Sequence, residues 1–301
     1  MNPRLTPMPD AVARRTFTAA EARSAGVSER RLRHRSLRAP HHGVRSTMPA
    51  PDSVVARCRD ALLVLPSTAV FSHATALDLL RVDRPIGVRH PDALHVQVPA
   101  GTSWPRRPGL RGHSRADPDR PRVSRYGLPV STPEWVWVEM APELELVELV
   151  VLADALMRRR RPLTSPERLR RRVELLPAGR RGVGRLRAAL PLIRPRTDSC
   201  METRLRLHIV GSGLPAPVVN GELVDRSGRF LLMPDLVYPS QRVAIEYDGD
   251  VHRTDPATWR RDITRRRTLE SADWTVLTCV ADDIRDPRPF LRHLRTALAS
   301  R

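Results

Sequence analysis

The sequence predicts a multidomain α+β chain, and three observations carry that prediction. Charge divides the chain: residues 1–197 hold 36 arginines against 18 carboxylates, whereas residues 198–301 hold 16 against 15. Residues 16–47 read as two short helices followed by a hairpin. From residue 198 the pattern becomes helix, three strands, helix, strand, helix. The expected division is a small helical unit with a hairpin over 1–50, a mixed α/β region over 51–157, an arginine-rich helical linker over 158–197 and an α/β domain over 198–301.

In residues 16–47, Thr18-Ala-Ala-Glu21 is a capping box that opens a helix, and Gly26 ends it. Ser28 caps a second helix, Glu29–Ser36, which carries Arg30, Arg31, Arg33 and Arg35. Leu37–Arg45 reads as a short hairpin. Helix, turn, basic helix and hairpin is the pattern of a winged helix-turn-helix, whose second helix enters the major groove. Those four arginines are therefore the expected DNA contacts.

The middle region holds helical patterns over Ser53–Leu65 and Ser72–Leu80 and an alternating strand, Leu94–Val98. Shorter strands are expected near 109–114 and 122–126. Thr132 and Pro133 open a further helix. Glu143–Met157 is strongly helical, with Leu144, Val147, Val151 and Ala155 on one stripe. No catalytic constellation is legible here, and His73 reads as a capping or packing residue. Residues 158–197 hold 14 arginines against Glu167 and Glu174, and prolines break them into short helices. Such a run is a solvated linker or a connector that tracks phosphates.

The C-terminal domain carries the chemistry. Ser199 opens a helix to about Val210, in which Glu202 shares a face with Leu205 and Ile209. Ser199-x-x-Glu202 is also a capping box, which offers Glu202 a purely structural role. Three strand-like runs follow, Pro217–Val224, Arg229–Val237 and Arg242–Asp248. In the last, Glu246 and Asp248 point to one side with Ala244. Asp235 sits in the neighbouring run. Carboxylates that converge on apolar strands are costly unless they are paired or hold a cation. A hard divalent ion takes one or two carboxylates plus phosphate oxygens and water. A helix over about Ala257–Ser271 bears Arg260, Arg261 and Arg265; a strand, Trp274–Val280, and a helix, Pro287–Ala299, complete the domain.

Composition sets the partner class. Formal net charge is +19 and the chain contains no lysine. Codon usage accounts for the missing lysine but not for the net charge, which calls for a polyanionic partner. Arginine binds phosphate or guanine in a fork and does not titrate as a base. Cys58, Cys200 and Cys279 lack any CxxC spacing, which argues against a zinc ribbon or a disulfide framework. Glu148 and Asp154 interrupt the most apolar stretch, so no membrane span is expected. The start of the chain lacks an apolar leader, and a cytoplasmic protein is the expectation.

The Pro234-Asp235…Glu246 pattern and the element order resemble the PD-(D/E)XK nuclease superfamily. Closer still, Asp235, Glu246-Tyr-Asp248-Gly249, His252 and Asp262-x-x-Arg265 resemble a domain-of-unknown-function family similar to very-short-patch-repair endonucleases. Residues 16–47 resemble the winged-helix domain of AbiEi-type antitoxins. The resemblance implies that Asp235 and Glu246 ligate Mg²⁺ or Mn²⁺ and that Glu202 supports them. Asp248 falls where the superfamily carries lysine, and His252 is the substitute for positioning or deprotonating water. Arg260, Arg261 and Arg265 would meet phosphates. The implied function is a metal-dependent DNA endonuclease. The alternative is a non-catalytic regulator or antitoxin with a degenerate nuclease fold, whose partners would be operator DNA and a cognate toxin.

Overall fold

The computed structural model describes residues 7–102, 106–117, 119–225, 228–249, 267, 269 and 271–300. They form a mixed α+β protein of several sheets, in two compact units. The first is Met1–Arg84 with Val88–Glu139, and the second is Pro85–Gly87 with Met140–Arg301.

The first unit opens with a capping box that sets the start of α1 (Ala19–Ser24). Glu21 N–H donates to Thr18 Oγ1, and the Glu21 carboxylate accepts the Thr18 N–H. α2 is Glu29–Leu32, capped by Ser28. It stops short of the expected Ser36 because local polar groups compete with the helix. Ser36 N–H donates to His34 Nδ1, and Arg31 donates to Ser36 Oγ. β1 (Thr16–Thr18) pairs antiparallel with β2 (Val44–Ser46), and Arg38 bridges Ser46 to close the hairpin. Phe17, Ala22, Val27, Leu32 and Leu37 bury together beneath these elements.

After α3 (Val54–Leu62) comes a five-stranded mixed sheet of order β5-β4-β3-β7-β6. Its strands are β3 (Val70–Phe71), β4 (Leu94–Pro99), β5 (Leu110–Arg115), β6 (Arg122–Arg125) and β7 (Leu128–Ser131). α4 (His73–Leu80) and α5 (Pro133–Met140) complete the layer. Both faces of β4 are buried, so the polar side of its alternation, His95 and Gln97, is covered rather than solvated.

In the second unit, α6 (Leu146–Leu156) is buried all round from Glu148 to Leu156, whereas Val147 is 46% exposed. The expected single stripe through Val147 is thus corrected. Two buried carboxylates on α6 are paired to the next long helix, α9 (Cys200–Gly211). Glu148 accepts both arms of Arg204, and Asp154 accepts Arg206 and Thr203. α7 (Pro166–Glu174) and α8 (Val183–Ala189) lie between them. α7 buries Leu169 and Val173 and exposes Arg168, Arg170 and Arg171.

A four-stranded sheet of order β13-β12-β11-β8 follows. β8 is Val218–Val219, β11 Leu236–Tyr238, β12 Val243–Asp248 and β13 Thr275–Val280, with β12 and β13 parallel. β9 (Leu223–Val224) and β10 (Phe230–Leu232) form a separate ribbon. Two of the expected runs are therefore broken. The first turns at Asn220 (φ 47°) and Gly221, where a Cβ would lie 2.5 Å from Val237. The second breaks at Pro234, which lacks an N–H for a ladder. α10 (Ala281–Arg285) and α11 (Arg288–Ala299) end the described chain. Leu205 and Ile209 of α9 pack on Leu236, Tyr238, Val243 and Ile245, with Phe290, Leu291 and Leu294 of α11 on the same core. Val237 and Ala244 face the other way, toward Leu223, Leu232 and Trp274.

Candidate functional site

Register fixes the carboxylates on the sheet. Leu236 pairs with Ile245, so Asp235 falls opposite Glu246, just beyond the ladder. Ile245 belongs to the core shared with α9, and Ala244 to the opposite one. Glu246 and Asp248 alternate onto the Ala244 side. All three carboxylate residues are half-buried. Asp235 Oδ2 accepts the Tyr247 N–H at 2.8 Å, so the side chain takes up a strand donor where β11 ends. Asp235 C=O accepts the Asn220 N–H at 2.9 Å.

Asn220 ties this corner to α9. Its side-chain amide donates to Arg196 C=O at 2.8 Å and to Glu202 Oε2 at 3.4 Å. Ser199 Oγ caps the helix by accepting the Glu202 N–H at 3.1 Å, and Glu202 Oε2 accepts the Asp198 N–H at 2.9 Å. Glu202 is thus both a cap residue, one position further back than a standard box, and a buried carboxylate beside Asn220. Burial pushes its carboxyl above the ordinary range, and the Asp198 charge adds to that, against the hydrogen bonds it accepts. Arg159 pairs with Asp198 at the edge of this corner. Its guanidinium binds Asp198, with Nε to Oδ2 at 3.0 Å, and its pKa is raised by Asp198 first, with Glu202 and Asp235 adding smaller charges.

The structure therefore brings Glu202 and Asp235 to the two ends of one Asn220 bridge and sets Glu246 opposite Asp235. It adds Asp198, Asn220 and Arg159, which the sequence reading missed. Arg159 was hidden in a run of four arginines, and nothing in that run marks one of them as the partner of Asp198. Among the described residues, Asp235, Glu246 and Asp248 do not form a set whose ligand atoms all lie within 4.8 Å of one another. Oxygen donors on Asp235 and Glu246 nonetheless fit the chemistry of a hard cation that completes its shell with water. His252, Arg260, Arg261 and Arg265 lie outside the described residues.

On α2, Arg30 is exposed, as are Arg33 and Arg35 just beyond it, while Arg31 is half-buried against Ser36. Arg45 Nε donates to Leu32 C=O at 2.7 Å, which pins the hairpin to the end of that helix. Three arginines therefore project from the helix and the turn that follows it.

A second polar cluster lies in the first unit, where no constellation was expected. His73, at the start of α4, stacks on His113 of β5 with ring centroids 3.7 Å apart. His95 Nδ1 of β4 is 3.0 Å from His113 Nε2. Glu139 of α5 accepts from His73 N–H, Ser131 Oγ and Arg120, and Arg120 also donates to Gln97 and lies 3.7 Å over the Trp135 ring. Burial, then the His95 charge, pushes His113 down to about 4. Burial pushes Glu139 up to about 6 although Arg120 opposes it. The reading of His73 as a packing residue is half the account: it packs on another histidine. Residue alternation did place His95 with Gln97, but it carries no sign of what covers that face.

No family model matches the chain, and no solved structure matches it. Two curated relatives come from Mycobacterium tuberculosis, the uncharacterized proteins MT2308 of strain CDC 1551 / Oshkosh and Rv2248 of strain ATCC 25618 / H37Rv. Each is 32% identical to this chain over 180 residues, 59% of this chain and 63% of the relative. The chain thus spans under two thirds of the length of the relatives it matches. Among the described residues, no helix is long and apolar enough to cross a membrane.

Proposed function

We propose that the protein is a metal-dependent DNA endonuclease with a nuclease-like C-terminal domain and a winged-helix DNA-binding unit at its N-terminus. The observation that carries this reading is the opposition of Asp235 and Glu246 on adjacent strands, with Glu202 brought in from α9 through Asn220. Helix, strands and carboxylates in that relation are what the resemblance to the PD-(D/E)XK superfamily implies. Asp235 and Glu246 would hold Mg²⁺ or Mn²⁺. When bound, such an ion supplies a Lewis acid for the phosphodiester and lowers the pKa of coordinated water.

The chain's own residues do the rest. Glu202 holds the Asn220 amide, and through it the backbone of Asp235. Tyr247 N–H fixes one oxygen of Asp235. Arg159 offsets the negative charge of Asp198 and stands ready to meet a phosphate. Arg30, Arg33 and Arg35 bind the duplex, with the +19 net charge supplying sequence-independent attraction. His252 positions or deprotonates water in place of the missing lysine.

One observation favours a second reading. Glu202 and Asp235 already accept from protein N–H donors, as a site that no longer binds metal would. The protein would then be a DNA-binding regulator or antitoxin that keeps an inert nuclease fold. Asp235→Ala separates the two. An endonuclease loses Mg²⁺- or Mn²⁺-dependent nicking in this variant and keeps its duplex affinity. A wild type that binds duplex yet cuts no supercoiled, linear or mismatched DNA under either metal establishes the regulator.

A further inference from the structure

We propose that His73, His95 and His113 are the ligands of a zinc site in the first unit, separate from the carboxylate cluster. Each residue offers an imidazole nitrogen, and the three nitrogens lie within 4.8 Å of one another. His73 and His95 are buried and His113 is half-buried, at the meeting of α4, β4 and β5. Imidazole nitrogens select zinc and its late first-row neighbours over Mg²⁺, which prefers oxygen.

Hydrogen bonding assigns the lone pairs. His95 Nε2 is 3.1 Å from His90 C=O. A carbonyl only accepts, so Nε2 carries the proton and Nδ1 presents its lone pair toward His113. This is how metal-bound histidines are oriented, with the far N–H held by a backbone carbonyl or carboxylate. His73 is held similarly: its Nδ1 is 3.0 Å from Ser72 Oγ, and Glu139 Oε2 lies 4.0 Å from that same nitrogen.

Distances are close to what zinc needs. Zn–N bonds of about 2.0–2.1 Å at a tetrahedral angle put nitrogens about 3.3 Å apart. His95 Nδ1 and His113 Nε2 are 3.0 Å apart and need only spread by a few tenths of an ångström. His73 needs more. Its ring lies nearly parallel to His113, at an interplanar angle of 15°. It must turn about its Cβ–Cγ bond so that its edge, not its face, meets the ion. The fourth position goes to water. The bound ion would clamp the start of α4 to two strands of the sheet. Cys58, in the same unit, is not among the grouped ligands, which leaves an all-nitrogen donor set.

The test is titration of the full chain, stripped with EDTA, with Zn²⁺ and with Co²⁺ as a visible reporter. Wild type is expected to bind one equivalent of either ion and to melt at higher temperature with Zn²⁺ present. His95→Asn and His113→Asn should each weaken binding by at least a hundredfold, while the surface variant His42→Ala leaves it unchanged. Should one of the Asn variants fail to fold in EDTA, His73→Asn replaces it. Asp235→Ala should bind Zn²⁺ like wild type even with excess Mg²⁺, which keeps this site distinct from the proposed nuclease centre. Absence of a stoichiometric Zn²⁺ equivalent in the wild type overturns the proposal. So does equal affinity in the histidine variants, and a histidine stack with no metal role is then what remains.

Discussion

Asp154 anchors the contact between α6 and α9. It lies on α6, fully buried, and accepts from Arg206 at 2.7 Å, Thr203 Oγ1 at 3.0 Å and Arg194 N–H at 2.7 Å. Thr203 and Arg206 belong to α9, the helix that presents Glu202, so Asp154 helps to set where Glu202 stands. Asp154→Ala removes all three acceptor contacts and leaves the Arg206 guanidinium, 3% exposed, without its carboxylate. Breaking a buried pair on one side costs about 3–5 kcal/mol. For a unit of this size each kcal/mol moves the midpoint by about 2–4 °C. The transition of the second unit should therefore fall by on the order of 10 °C in scanning calorimetry, and α9 amides should exchange faster. Burial pushes the Asp154 carboxyl up to about 6 against the pull of Arg206, so desolvation outweighs what its partners return. Asp154→Leu combined with Arg206→Met should accordingly recover most of the loss. A single Asp154→Ala variant melting within about 2 °C of wild type would refute the reasoning.

Three further outcomes are expected. His113 sits at about 4 when folded, below its ordinary 6.5, so between those values the unfolded chain binds a proton that the native one refuses. Stability is lost as pH falls through that window, by about 2 kcal/mol from pH 7 to about 4.5. Glu139, at about 6 when folded, acts in the opposite sense and gains for the fold as pH falls. Urea midpoints of His113→Gln measured in EDTA should show less acid destabilisation than wild type; parallel pH profiles would contradict this. Combining Arg30→Ala, Arg33→Ala and Arg35→Ala should weaken duplex binding and reduce the slope of log affinity against log salt by about 2–3, read by fluorescence anisotropy; an unchanged slope removes these residues from the interface. Gly221→Ala places a Cβ 2.5 Å from the buried Val237 side chain, beside Asn220, and should cost about 1–3 kcal/mol in denaturant unfolding.

Particular residues show what the sequence could and could not convey. Thr18-x-x-Glu21 forms the capping box that its spacing implies, because that motif is closed within four residues. β12 is a strand over Val243–Asp248 with Glu246 and Asp248 on the Ala244 side, as two-residue periodicity requires. Breaks at Asn220 and Pro234 were passed over because apolar residues continue on both sides of each, although Asn220-Gly221 favours a turn and proline cannot donate to a ladder. α6 looked one-sided because Leu144, Val147, Val151 and Ala155 share one stripe, interrupted by Glu148 and Asp154. Their partners Arg204 and Arg206 come from a helix about fifty residues later, a separation no local pattern encodes. The histidine cluster was hidden for the same reason: His73, His95 and His113 meet only after three elements have packed.

The central claim is that Asp235 and Glu246 act together on a phosphodiester. Its most direct measurement is the rate at which purified protein nicks supercoiled plasmid in Mg²⁺ or Mn²⁺, compared with Asp235→Asn, Glu246→Gln and their double variant. Wild type is expected to nick in a metal-dependent way, each single variant to lose nicking, the double to lose no more, and duplex affinity to stay unchanged throughout. Nicking that persists in both single variants, or wild-type protein that binds DNA and never nicks it, would contradict the claim.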